Sequence, residues 1–216
     1  MAEPVLASRP VRFDPELCDR QYHADMIRGG HERVWFTFYD SEAIDRADPT
    51  TREQEFFKNP MGTAGKTRIR TNMRKSGTLP DPQWFRMWFA GCYLFPMETA
   101  DPATTDDDLM LCANNTILTL WINDKIYYES LSWDLPAGGG QRVHSYPADA
   151  GATSLVWNGV PDQRTLKHFR VPVIIKKNES FWWEVSVDPD AWESMGATAK
   201  IYFYVIMHGE LFRKIT

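Results

Sequence analysis

The chain has little that points to a membrane, a disulfide framework or a catalytic centre. No apolar run approaches the roughly 18 residues that a membrane-spanning helix needs, and Met1 to Pro10 lacks the apolar stretch of a secretory signal. No signal peptide and no membrane partner are therefore expected. Cysteine is scarce: Cys18, Cys92 and Cys112 match neither a zinc site nor a CxxC redox pair. An odd number of thiols without motif spacing is expected to stay reduced, as in a cytoplasm. Charge of one sign is lacking too. The 24 Lys and Arg nearly offset the 29 Asp and Glu, leaving −5, which makes nucleic acid an unexpected partner. There is no GxSxG elbow, no P-loop and no dinucleotide fingerprint. His23, His31, His144, His168 and His208 form no HxH or HExxH pair, so a metal site would need convergence over long range. Neither catalytic residues nor a cofactor are expected.

Aromatics, by contrast, are abundant: nine Trp, eight Tyr and twelve Phe. They favour strands, and 216 residues can bury a large core in one domain. Residues 33–39 alternate, with Val34, Phe36 and Phe38 on one face, and alternation resumes over 84–89. The runs 117–122 and 125–131 flank Asn123-Asp124 and predict a hairpin. A second hairpin is predicted over 169–187 around Asn178-Glu179, with Val171, Val173, Trp183 and Val185 facing the core and Pro172 at an edge or bulge. Residues 200–207 are apolar on both faces and predict a central strand. Short helices are expected over 15–27, over 50–58 as one or two turns, and over 106–113 behind a Thr105 or Asp106 cap. Residues 59–82 and 135–154 read as long surface loops. The expected fold is mostly β, a β-sandwich or jelly roll with long loops and one or two short helices. An N-terminal arm with a short helix would occupy 1–32 and a single β domain 33–216.

The sharpest charge feature lies in the first long loop. Lys58, Lys66, Arg68, Arg70, Arg74 and Lys75 fall in a stretch without Asp or Glu between Phe57 and Pro80. Such a stretch either stays solvated or docks on an acidic partner surface or on phosphates, and it is too polar to be expected in a core. Trp133 and Trp157 sit in loop-like surroundings and are candidates for exposed contact, with proteins or with sugars. The candidate partner-binding residues are thus Lys66, Arg68, Arg70, Arg74, Lys75, Trp133 and Trp157. Three weaker patterns carry bland alternatives. Asp106 to Asp108 would hold a cation or simply cap a helix. Glu184, Asp188 and Asp190 offer carboxylates for glycoside hydrolysis, as many acidic segments do. Cys92 and Cys112 read as inert buried thiols.

Three stretches also carry a family resemblance. Phe56-Phe57-Lys58-Asn59-Pro60 leads through Thr71-Asn72-Met73 to Gly77-Thr78-Leu79-Pro80. Phe169 to Ile175 is followed by Phe181-Trp182-Trp183-Glu184. The chain then closes on Gly209-Glu210-Leu211-Phe212-Arg213. In this order they resemble jelly-roll structural proteins of bacteriophage virions, where an FF..P element and a TN(M/L)…G.LP loop precede the first sandwich strands. The resemblance covers about two thirds of the chain. It implies a capsid, cement or decoration subunit, made in a host cytoplasm and working in the virion. It implies contacts with copies of itself and with neighbouring shell proteins, and no catalytic residue. A carbohydrate-binding β-sandwich and a jelly-roll glycoside hydrolase are the rival readings.

Overall fold

The computed structural model describes residues 30–96, 106–136, 142–144, 155–157 and 165–214. The helix expected over 15–27, Cys18 and most of the loop over 135–154 lie outside them.

Among the described residues there are ten strands: β1 (His31–Asp45), β2 (Glu53–Phe56), β3 (Trp84–Pro96), β4 (Thr116–Ile122), β5 (Lys125–Leu131), β6 (Arg142–His144), β7 (Leu155–Trp157), β8 (Lys167–Ile175), β9 (Phe181–Val187) and β10 (Lys200–Lys214). Two α-helices accompany them there, α1 (Asp106–Asn114) and α2 (Pro189–Ser194). One four-stranded sheet runs β1-β10-β3-β8, a second runs β2-β9-β4-β5, and β6 pairs with β7 alone. Among the described residues every pairing between these strands is antiparallel. The chain is mostly β.

The two sheets share one core. Phe85 and Met87 of β3 and Phe203, Val205 and Met207 of β10 pack with Leu118 and Leu120 of β4 and Trp183 and Val185 of β9. Tyr128 of β5 meets Phe169 of β8 edge-on at 5.2 Å, joining one sheet to the other. As expected, β10 is central, paired along its whole length with β1 and over most of it with β3. A bulge re-aims β3. Gly209 faces Met87 and His208 faces Phe89, so Trp88 is the extra residue. The buried side passes from Phe85 and Met87 to Ala90, Cys92 and Leu94. Gly209 is required there: a Cβ would lie 1.9 Å from the Arg86 carbonyl oxygen.

Two expectations need correction. The segment 169–187 is not a hairpin. β8 pairs with β3 in the first sheet, whereas β9 lies between β2 and β4 in the second. Residues 176–180 form a corner between the sheets, with Asn178 left-handed at φ 62°. Alternation says which face of a strand is buried, not which sheet it joins. Val173, Trp183 and Val185 are in the core as expected, but Val171 is 70% exposed. Pro172 does sit on an edge strand, in a stretch left unpaired between Val173 and His168. The helix expected over 50–58 is only a 3-10 turn, Pro49–Arg52, and the chain then enters β2. Asp48 starts that turn by accepting from the Thr50 N–H at 3.0 Å, and the acidic, polar β2 that follows shows no clean alternation.

Candidate functional site

The long loop over 57–83 is anchored from beneath. Phe57 leaves β2 in a left-handed conformation, φ 69°, unusual for a bulky residue. Its N–H donates to Asp40 Oδ2 at 2.5 Å, and its carbonyl accepts from the Gly77 N–H at 2.8 Å. Asn72 then acts as a partner for the edge strand β1. Its Oδ1 accepts from the Tyr39 N–H at 3.0 Å, and its Nδ2 donates to the Thr37 carbonyl at 2.6 Å. The loop thereby covers part of an edge that would otherwise invite pairing. Met73 and Leu79 enter the core, contrary to the expectation of a loop too polar for it. Phe57, Asn72, Met73, Gly77 and Leu79 are thus the loop's anchors.

Lys66 is not a docking cation. It is 6% exposed, and its ammonium reaches Asp40 Oδ1 at 3.0 Å, Glu42 Oε1 at 2.7 Å and the Ser41 carbonyl. Three acceptors match the three donors of an ammonium. A buried charge needs such partners, and they come from β1, too distant in sequence for a local charge count to find. Burial pushes the Asp40 and Glu42 carboxyls above their ordinary range, and Lys66 pulls them back. Two further cations of the stretch are engaged. Lys58 pairs with Glu55 at 3.2 Å and lies 4.1 Å from the centre of the Trp182 ring; Arg70 lies 4.0 Å from that of Tyr202. Arg68, Arg74 and Lys75 remain on the surface, without an ion pair among the described residues. The docking reading therefore contracts to these three.

Trp133 is exposed as expected, at 58%, on the 3-10 turn Ser132–Asp134. The turn is held on both sides. Buried Ser132 donates to the Ala113 carbonyl at 2.5 Å. Asp134 Oδ2 accepts from Tyr128 at 2.8 Å, Ser130 at 3.1 Å and Lys167 at 2.6 Å. These donors, Lys167 foremost, hold its carboxyl below the ordinary range. Leu135 is buried, and its carbonyl accepts from the Cys92 N–H at 2.8 Å. Trp133 is thus an aromatic side chain offered to solvent on a rigid mount. Exposed Leu131 and Ile117, directly opposite each other on β5 and β4, lie beside it in sequence and register. The side chain of Trp157 lies outside the described residues.

The weaker candidates resolve differently. Asp108 is buried and accepts from the Gly196 N–H at 2.7 Å, tying α1 to the end of α2. No group of three or more metal-binding side chains occurs among the described residues. Asp188 caps α2, accepting from the N–H groups of Asp190 and Ala191 at 2.9 and 3.2 Å. Glu184 instead faces Glu55 across the β9–β2 pairing, beside Glu53, in an open acidic cleft. Burial, then Glu53 and Glu55, push its carboxyl up. Finding this trio from sequence would have required recognising β2. Cys92 and Cys112 are buried, unpaired thiols; burial pushes Cys112 up to about 12 and Cys92 up as well, so neither is a nucleophile near neutrality.

On the outer face of the first sheet, Trp35 meets Phe89 edge-on at 6.1 Å, and Phe89 stacks on His168 at 4.9 Å. A cavity of about 100 Å³ opens between the loop, the middle of β1 and the end of β10. Phe36, Phe38, Met73, Leu79 and Leu211 form its apolar wall and Arg74 part of its rim. Comparison with protein-family models, curated proteins and solved structures finds no match.

Proposed function

We propose that the chain is a structural subunit of a bacteriophage virion, a jelly-roll β-sandwich serving as a capsid, cement or decoration protein. The observation that carries this reading is strand order. With the small β6–β7 pair set aside, the eight remaining strands run 1-8-3-6 in one sheet and 2-7-4-5 in the other. That is the order of two interlocked Greek keys, an architecture shared by capsid, lectin and cupin domains. Architecture alone does not choose among these. Trp35 and Val171 lie on β1 and β8 of one sheet, Ile117 and Leu131 on the other, and Ile69 on the loop, between 36% and 79% exposed. Apolar side chains scattered in this way are ordinary on a protein surface, so the choice of a virion subunit rests on the resemblance carried by the sequence.

The partners are further copies of the chain and neighbouring shell proteins, met without a cofactor. Among the described residues no helix is long and apolar enough to cross a membrane. Mass spectrometry of purified virus particles tests the reading. Its peptides should be present at copy numbers comparable with those of a coat protein, and their absence would overturn it. The row Trp35, Phe89 and His168 favours one second reading, a sugar-stacking platform. A glycan array separates the two: binding that Trp35→Ala abolishes would support the carbohydrate module.

A further inference from the structure

Beneath the loop a buried amine lies against two carboxyls. We propose that Lys66 and Asp40 join there by an isopeptide bond that the folded chain makes for itself, with Glu42 as the proton acceptor. Lys66 Nζ lies 3.0 Å from Asp40 Oδ1 and 2.7 Å from Glu42 Oε1. The Lys66 and Asp40 side chains are 5% and 0% exposed, and Glu42 Oε1 is closed off from solvent as well. Each part of an acyl transfer is therefore at hand. The amine is the nucleophile, and Glu42 is the adjacent base that activates it. The Asp40 carboxyl carbon is the electrophile. Asp40 Oδ2 accepts from the Phe57 N–H at 2.5 Å, a donor placed where negative charge gathers when the amine attacks. Phe57 holds that N–H in place from a left-handed backbone, φ 69°.

The step balances without a further reactant. One ammonium facing two carboxylates is neutral only when one carboxyl keeps a proton, and burial pushes both above their ordinary range. With that proton on Asp40, Glu42 takes one proton from the Lys66 ammonium and the freed amine attacks Asp40 Cγ. The N–C bond forms and one Cγ–O bond breaks. Water departs with the Asp40 hydroxyl and a second proton from the nitrogen, and Glu42 keeps the proton it took. Nothing is oxidised or reduced. An amide, a neutral Glu42 and a water replace two buried charges, which a dry interior favours. The fold also holds the partners in contact, so the encounter that separate molecules must make is already accomplished. The Glu42 side chain is 16% exposed, which gives the released water a way out. The ion pair is the state in which the chain folds. The bond then ties β1 to the loop across 26 positions of sequence, which constrains the unfolded chain.

Mass spectrometry of the full chain, denatured after the folded protein has stood at neutral pH, tests this. The wild type should weigh less than its sequence by one water. Its tryptic digest should hold a branched species that joins the peptide of Asp40 to that of Lys66 and is uncut after Lys66. Lys66→Arg keeps a cation but offers no amine that can be acylated, and Glu42→Gln removes the proton acceptor. Each variant should keep its full sequence mass while circular dichroism shows the strand-rich fold. A wild type at full sequence mass, or a loss of water without the branched peptide, would overturn the bond. A Glu42→Gln chain that loses water as the wild type does would overturn the part given to Glu42. The wild-type measurement needs no variant, so it stays decisive if a substitution impairs folding. The bond does not depend on the virion reading, and neither result bears on it.

Discussion

The loop over 57–83 and the turn at 132–134 are two irregular segments secured in different ways. Beneath the loop lies an ion pair: Lys66 is sealed in with Asp40 and Glu42. Beneath the turn lie a buried neutral hydrogen bond from Ser132 and a half-exposed carboxylate at Asp134. The difference concerns what each segment offers to solvent. The loop consumes its central cation to stay folded and leaves Arg68, Arg74 and Lys75 outside. The turn consumes polar groups and leaves an indole outside. Irregular backbone near a surface is thus not idle, and which side chains remain for contact depends on which ones the anchoring uses.

The largest expected effect comes from removing the buried cation. Lys66→Met would leave two carboxylates without their partner and should cost about 3–5 kcal/mol in urea unfolding at neutral pH. The deficit has a definite pH dependence. Asp40 and Glu42 already have folded pKa values raised above 3.8 and 4.5, so folding takes up protons, and their contribution worsens as pH rises through the raised values. Losing Lys66 raises them further. The gap between variant and wild type should therefore be widest near neutrality and narrow as pH falls through the raised values. A gap independent of pH would contradict a charged anchor.

Asn72→Ala removes the side chain that bonds to both Thr37 and Tyr39. It should cost about 2 kcal/mol and speed amide exchange at Tyr39 more than elsewhere on β1. Ser132→Ala should cost about 1 kcal/mol, less than the loop's ionic anchor, since a neutral hydrogen bond is lost. It should also broaden the Trp133 fluorescence response if the mount loosens. A cost above that of Lys66→Met would reverse the comparison. The smallest effect belongs to Arg68→Ser combined with Arg74→Ser. Both are exposed, so the melt should stay within about 0.5 kcal/mol of wild type, while any loss of association reports on contacts alone. Arg70 is left out of this pair because it stacks on Tyr202.

Much of this was legible in the residues. The hairpin around Asn123-Asp124 formed where the turn chemistry placed it, with Asn123 left-handed at φ 54°. The α1 helix, the central β10 and the exposed Trp133 were also readable, because each depends on local period, capping or isolation. The β-rich class, the inert thiols Cys92 and Cys112 and the inward faces of most strands follow from the order of residues alone, since alternation and burial preference act over a few residues. Three outcomes came instead from long-range packing: β8 and β9 part into different sheets, β2 exists as an edge beside Glu184, and Lys66 is an anchor. Those outcomes depend on groups brought together from far along the chain: Met87 against Val173, Glu55 against Glu184, and Asp40 and Glu42 against Lys66. Local pattern records which side chain must be buried or paired. The partner is chosen by whichever distant group the packed sheets bring within reach, since an ion pair or strand pairing acts over only a few ångströms.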